Sequence, residues 1–256
     1  MARAADNTAP DVDIQITRCG ICGSDLTILK SRWGPTIYPY CVGHEIVGKA
    51  IGVGQNVKHV GIGDRVGVGA QALSCLKPDC PCCSTGRENY CPGFVTLHLR
   101  LPRPMLRGGA TVFAPLNQNG CGPGKTVGIV GIGGLGHFDV LFAKALGAER
   151  VIAVSRKASK RGEALTLGVD EYIATDDDKD WAIYNMRRVD LIMNTVSSVR
   201  MPLVDNPDGG QLPTVNALPL IVNNIKVGIS CIASPSDINE MLKLASEKEL
   251  NPLIET

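Results

Sequence analysis

The stretch 125–174, KTVGIVGIGGLGHFDVLFAKALGAERVIAVSRKASKRGEALTLGVDEYIA, switches repeatedly between two hydrophobic patterns. Val127 to Val130 is a short apolar run of strand character, Gly131 to Gly136 is a glycine turn, and His137 to Leu146 has helical composition. A second strand, a second helix and a short third strand follow. Such alternation predicts a parallel sheet with crossover helices, the doubly wound α/β arrangement. The turn Gly131-Ile132-Gly133-Gly134-Leu135-Gly136 has the G-x-G-x-x-G spacing between a strand and a helix, the context in which that motif signifies a dinucleotide site. Gly131 permits the tight turn, Gly133 lets the backbone approach a pyrophosphate, and Gly136 allows helix and strand to pack closely. The anion would rest on the helix N-terminus, against Gly134 and Leu135.

The next strand sharpens the choice of nucleotide. An NAD site usually ends this strand with a carboxylate that holds the ribose 2′-hydroxyl. Here Ser155 and Arg156 occupy that place, with Lys160 and Arg161 downstream. A guanidinium can pair bidentately with a 2′-phosphate, so the pattern favours NADP(H).

Outward from this core, Val189 to Thr195 (VDLIMNT) reads as a further strand, and Ser236 to Glu249 as an amphipathic helix opened by a serine cap. Upstream, Val42 to Gly69 alternates short β-branched runs with glycine turns, as in an irregular β-barrel. We divide the chain into 1–116 and 117–256. With 256 residues, 44% hydrophobic, the protein can bury one or two cores. A net charge of +1 leaves no basic excess for nucleic acid. The N-terminal residues lack an apolar signal segment and the apolar runs are too short or glycine-broken for a bilayer, so a cytoplasmic location is expected.

Ten cysteines in a reducing compartment call for metal chemistry before disulfides. Five crowd into CLKPDCPCCSTGRENYC, from Cys75 to Cys91, a stretch without apolar periodicity. Cys75, Cys80, Cys83 and Cys91 can close tetrahedrally on one zinc, and Cys82 is left as a spare that could replace a neighbour. Cys121 and Cys231 read as small buried hydrophobes. Further upstream, Cys22 in CGICGSD and His44 in GHEIVG are zinc ligands by type.

In order, CGICGSD, GHEIVG, GDRVGVG, the cysteine lobe and GIVGIGGLG resemble the zinc-containing medium-chain alcohol dehydrogenases, most closely the cinnamyl alcohol dehydrogenase branch. The resemblance implies a GroES-like barrel domain, here incomplete, followed by a Rossmann domain. It implies a catalytic zinc on Cys22 and His44 with Glu45 as an alternate ligand, a structural zinc on the four-cysteine lobe, and Ser24 passing the proton of the substrate hydroxyl. The implied reaction interconverts primary alcohols and aldehydes with NADP(H). Family members commonly pair through a Rossmann edge strand, which Pro219 to Ser230 could supply for a homodimer. Analogy suggests an aromatic or medium-length aldehyde, with Trp33 as an aromatic near the metal.

Three departures stand against the matches. Arg107 occupies the place of a cysteine ligand, and a guanidinium cannot bind zinc. Thr27 stands where the family has a relay histidine. Segments between Cys91 and Arg107, and after Val189 to Ser198, are shorter than the family's. The alternative reading is therefore a non-catalytic, truncated relative that retains structural zinc and NADP binding.

Overall fold

Glycines and β-branched residues of the first unit build a short antiparallel sheet. The computed structural model describes residues 12–32, 34–36, 38, 43–93, 95–96, 108–177, 180–185, 187–196, 218, 220 and 225–252. It divides into two units, Met1–Arg107 and Gly108–Thr256. In the first, β1 (Val12–Cys19), β2 (Ile46–Val53) and β3 (Arg65–Val68) run antiparallel in the order β1-β2-β3. The β1–β2 register slips between Asp13 and Ile14 and again between Ile16 and Arg18, so the expected irregularity takes the form of bulges. Helix α1 (Gly23–Leu29) lies between β1 and β2 in sequence. Strands β4 (Gln71–Leu73) and β5 (Val95–Thr96) pair with each other, and the cysteine lobe runs between them, shaped by two single 3-10 turns at Cys83–Thr85 and Glu88–Tyr90.

The second unit opens with α2 (Ala110–Gln118) and alternates β6 (Thr126–Val130), α3 (Gly134–Ala145), β7 (Arg150–Ser155), α4 (Arg161–Thr166), β8 (Glu171–Ala174), α5 (Trp181–Tyr184) and β9 (Leu191–Asn194). It closes with α6 (Pro235–Glu247). The sheet order is β8-β7-β6-β9, all parallel, so the chain reverses direction across the sheet at β6. That reversal is the switch point where the carboxyl ends of strands leave a crevice.

One face of this sheet carries the core. Val127, Ile129, Val151 and Ala153 are fully buried, as are Val140, Phe142 and Ala143 of α3 and Val112, Phe113 and Leu116 of α2. Phe113 meets the Phe142 ring edge-on at 5.5 Å between centroids. Burying each such side chain contributes roughly 1.5–3 kcal/mol. Met241 and Ala245 bring α6 onto the same layer.

Two helix boundaries differ from the sequence reading. Helix α3 begins at Gly134 rather than His137, because Gly133 takes the extended cap position and the glycines themselves form the first turn. Helix α6 is capped by Ser234, not Ser236. Ser234 Oγ accepts the Asp237 amide at 3.2 Å and Asp237 Oδ2 accepts the Ser234 amide at 3.0 Å, a reciprocal box for which Ser234 has the right spacing and Pro235 the right first position. Within the segment expected as an edge strand, residues 225–230 form no strand in this chain, and Ile225, Val227 and Ile229 are exposed. Among the described residues no helix is long and apolar enough to cross a membrane.

Candidate metal and dinucleotide sites

Cys22 is the cap residue of α1, in extended conformation, and His44 and Glu45 immediately precede β2. Ligand atoms of Cys22, His44 and Glu45 lie within 4.8 Å of one another, with His44 and Glu45 buried and Cys22 half-buried. What ties Cys22 and His44 together is Asp25, a residue the sequence reading did not single out. Its Oδ2 accepts the Cys22 amide at 2.9 Å, and its Oδ1 faces His44 Nδ1 at 2.9 Å and accepts the Gly43 amide at 3.0 Å. Asp25 is only 3% exposed. A carboxylate on Nδ1 fixes the imidazole tautomer and leaves Nε2 as the nitrogen suited to a metal. The signal was present in the sequence: a Cys-x-x-Asp spacing places the carboxylate at the third position of a helix, where it reaches back to the cap amide.

The chemistry of this donor set, one thiolate, one imidazole and one carboxylate, fits zinc in an open site. Ser24 is adjacent, with its Oγ 3.8 Å from Cys22 Sγ. Thr27 Oγ1 donates to the Gly23 carbonyl of its own helix at 3.0 Å, so its proton is engaged in the backbone. Arg107 and Trp33 lie outside the described residues. Replacing Asp25 by asparagine should lower zinc retention at this site by roughly 10- to 100-fold, read by competition with a chelator of known affinity.

In the lobe, Cys75, Cys80, Cys83 and Cys91 also come within 4.8 Å of one another. Cys82 points elsewhere, its thiol toward the Tyr90 carbonyl at 3.1 Å. At two of the four sulfurs the backbone favours the anion, whereas burial raises the Cys83 thiol to about 12. The amides of Cys75 and Gly93 donate to Cys91 Sγ at 3.4 and 3.3 Å, and these donors pull the Cys91 thiol down to about 7. The Cys83 and Cys82 amides likewise lower the Cys80 thiol. Four sulfurs, with no fifth ligand group beside them among the described residues, are what a closed tetrahedral zinc site requires.

The glycine turn sits at the end of β6. Gly131 has φ +93°, a conformation that favours glycine, and a Cβ at Gly136 would collide with the Gly131 carbonyl. Thr195 Oγ1, just past β9, bonds the Val130 and Gly131 carbonyls at 3.1 Å each and clamps the turn to the sheet. At Gly133 and Gly134 a Cβ would meet nothing within 4 Å. Packing does not demand glycine at these two positions; an approaching ligand would. No side chain caps α3, so its first amides are left to an anion, and Leu135 stands in that first turn.

Ser155 ends β7 and Arg156 follows it, exposed. Lys160 spans back to the turn, donating from Nζ to the Ile132 carbonyl at 2.8 Å. The structure thus brings the cationic loop and the glycine turn to one edge of the parallel sheet, and the residues present fit a dinucleotide bearing an additional phosphate.

Comparison with known proteins agrees in both units. Residues 8–124 match the Alcohol dehydrogenase GroES-like domain and residues 134–203 the Zinc-binding dehydrogenase family. The NADP-dependent alcohol dehydrogenase 6 of Saccharomyces cerevisiae is 35% identical over 296 residues, covering 96% of this chain and 81% of the yeast protein. Cinnamyl alcohol dehydrogenase 7 of Arabidopsis thaliana is also 35% identical, over 96% of this chain and 81% of its own length. The yeast alignment is longer than the 256 residues of the chain, so that relative has internal segments absent here. Among solved structures, a cinnamyl alcohol dehydrogenase from Sorghum bicolor superposes with a TM-score of 0.88 at 32% identity, covering 99% of this chain and 85% of that one. A cinnamyl alcohol dehydrogenase from Helicobacter pylori, solved with NADP(H), gives 0.81 at 25% identity, over 97% and 83% of the two chains.

Proposed function

The chain belongs to the zinc-binding alcohol dehydrogenases with a GroES-like domain, and from that membership we propose that it interconverts primary alcohols and aldehydes with NADP(H). The observation that carries this reading is the convergence of Cys22, His44 and Glu45 around a single buried organiser, Asp25. When bound, zinc supplies a Lewis acid for the substrate oxygen and NADP(H) supplies or accepts the hydride. The protein's own work is to position and to move a proton. Asp25 holds the imidazole of His44 and the backbone of Cys22 in one frame, so both ligands keep their geometry as charge develops. Ser24 takes the proton of the substrate hydroxyl. Thr27, tied to the Gly23 carbonyl, does not extend that path, so the proton leaves Ser24 for solvent.

On the nucleotide side, the amides of Gly133 to Gly136 hold the pyrophosphate, and Ser155, Arg156 and Lys160 hold the 2′-phosphate. The names of the relatives point to cinnamyl and similar aldehydes as the substrate class. We further place the protein in the cytoplasm and assign the exposed Ile225, Val227 and Ile229, which form no strand within one chain, to a homodimer contact. The test is NADPH oxidation with cinnamaldehyde by zinc-replete protein, followed at 340 nm. Turnover with NADPH and at least tenfold less with NADH is expected. Zinc-loaded protein that binds NADPH but turns over no aldehyde would favour the non-catalytic alternative.

A further inference from the structure

The loop that follows β7 is held more tightly than its exposed sequence suggests. Tyr172, on β8, is 8% exposed, and its hydroxyl donates to the Lys157 carbonyl at 2.6 Å. The same ring carries the Arg161 guanidinium, 5.6 Å from its centroid. Three more ties fix the loop from other sides. The Thr175 and Asp176 amides donate to the Ser155 and Arg156 carbonyls at 2.9 Å each, and Lys160 reaches the Ile132 carbonyl. Ser155, Arg156 and Lys160 are therefore presented by a segment whose backbone is pinned at 155, 156 and 157 and whose Lys160 side chain is tied to the glycine turn. Loops of surface glycine, serine and lysine ordinarily lose that order and must regain it when a ligand binds, which weakens binding.

We propose that Tyr172 is a positioning residue for NADP(H) over NAD(H): it pre-organises residues 155–161 so that their cations meet a 2′-phosphate without an ordering cost. The inference rests on the NADP(H) reading above and adds a determinant that touches no part of the nucleotide. Its hydroxyl is the operative group, since the ring alone keeps the Arg161 contact. The effect is confined to ligands with a 2′-phosphate. A nucleotide lacking that phosphate makes no use of the loop's cations and gains nothing from their order.

The test uses the full chain and two probes, adenosine 2′,5′-bisphosphate and ADP, titrated calorimetrically against wild type, Tyr172→Phe and Tyr172→Leu, with the melting temperature recorded for each. Phe should weaken the bisphosphate roughly five- to tenfold, the worth of one hydrogen bond, while leaving ADP unchanged. Leu, which also removes the Arg161 platform, should weaken it further and again spare ADP. Loss of both probes together in Tyr172→Phe, or of neither, overturns the proposal while the wild-type preference for the bisphosphate stands. Absence of that preference in the wild type would instead refute the NADP(H) reading and this inference with it.

Discussion

Replacing Cys91 by serine is expected to strip the four-cysteine lobe of zinc and to unfold it. The lobe from Cys75 to Cys91 offers little else to hold it, since its order consists of two 3-10 turns and a two-strand pairing at its base. A structural zinc contributes on the order of 10 kcal/mol to the folding of such an element. Cys91 is the most embedded of the four sulfurs, 4% exposed and accepting two backbone amides. Serine can neither supply the thiolate nor use both donors. The variant should lose one zinc per chain and become sensitive to limited proteolysis between residues 75 and 91. A Cys82→Ser control should lose neither metal nor resistance, because its thiol is directed to the Tyr90 carbonyl. Full metal content and protease resistance in Cys91→Ser would refute the assignment of the lobe.

The second large effect has the opposite sign. Asp139 lies on α3 with no exposed surface, and among the described residues neither carboxylate oxygen has a hydrogen-bond partner. Burial holds its pKa well above 3.8, and burial with this carboxyl raises the Cys121 thiol to about 11. Below pH 3.8 the carboxyl is neutral folded and unfolded alike, and ionisation does not affect stability. Above that pH the unfolded chain releases the proton that the folded chain retains, so stability falls by about 1.4 kcal/mol per pH unit until the folded group ionises. Asp139→Ala removes both this slope and the unmet polar atoms. At neutral pH it should stabilise the second unit by about 2–4 kcal/mol, less a small cavity term, and raise its melting temperature by roughly 5–10 °C. Asp139→Asn should abolish the pH slope but recover less stability, since its amide remains unsatisfied. A lower melting temperature in the alanine variant would show that the carboxyl has a stabilising role.

Asp139 also shows where sequence reading fell short. The stretch HFDVLFAKAL reads as a helix from composition alone, yet whether position 139 faces the core or solvent depends on α2 and β6 closing over it. Helix α2 was itself invisible: Pro115 within ATVFAPLNQ reads as a breaker, and only burial of Val112, Phe113 and Leu116 compensates for the lost hydrogen bond. The glycine turn, by contrast, was legible because each glycine answers a local steric demand, as the Gly131 torsion and the Gly136 collision demonstrate. The lobe cysteines were legible for a related reason. Ligand spacing is a property of the chain, so four sulfurs could be chosen from it, while the exclusion of Cys82 as a substitute came only with its thiol's direction toward the Tyr90 carbonyl. Asp25 was legible only in part: the Cys-x-x-Asp spacing implies its contact with the Cys22 amide, but its hold on Gly43 and His44, 18 and 19 residues away, comes from the fold.

Catalysis turns on whether Cys22, His44 and Glu45 hold a metal in this chain, although Arg107 stands where the family resemblance implies a further cysteine. Zinc should therefore be counted in purified native protein and in His44→Ala side by side. The arrangement predicts two zinc ions per chain in the first and one in the second, the remaining ion being that of the cysteine lobe. An identical count in both proteins, or none in either, would contradict it.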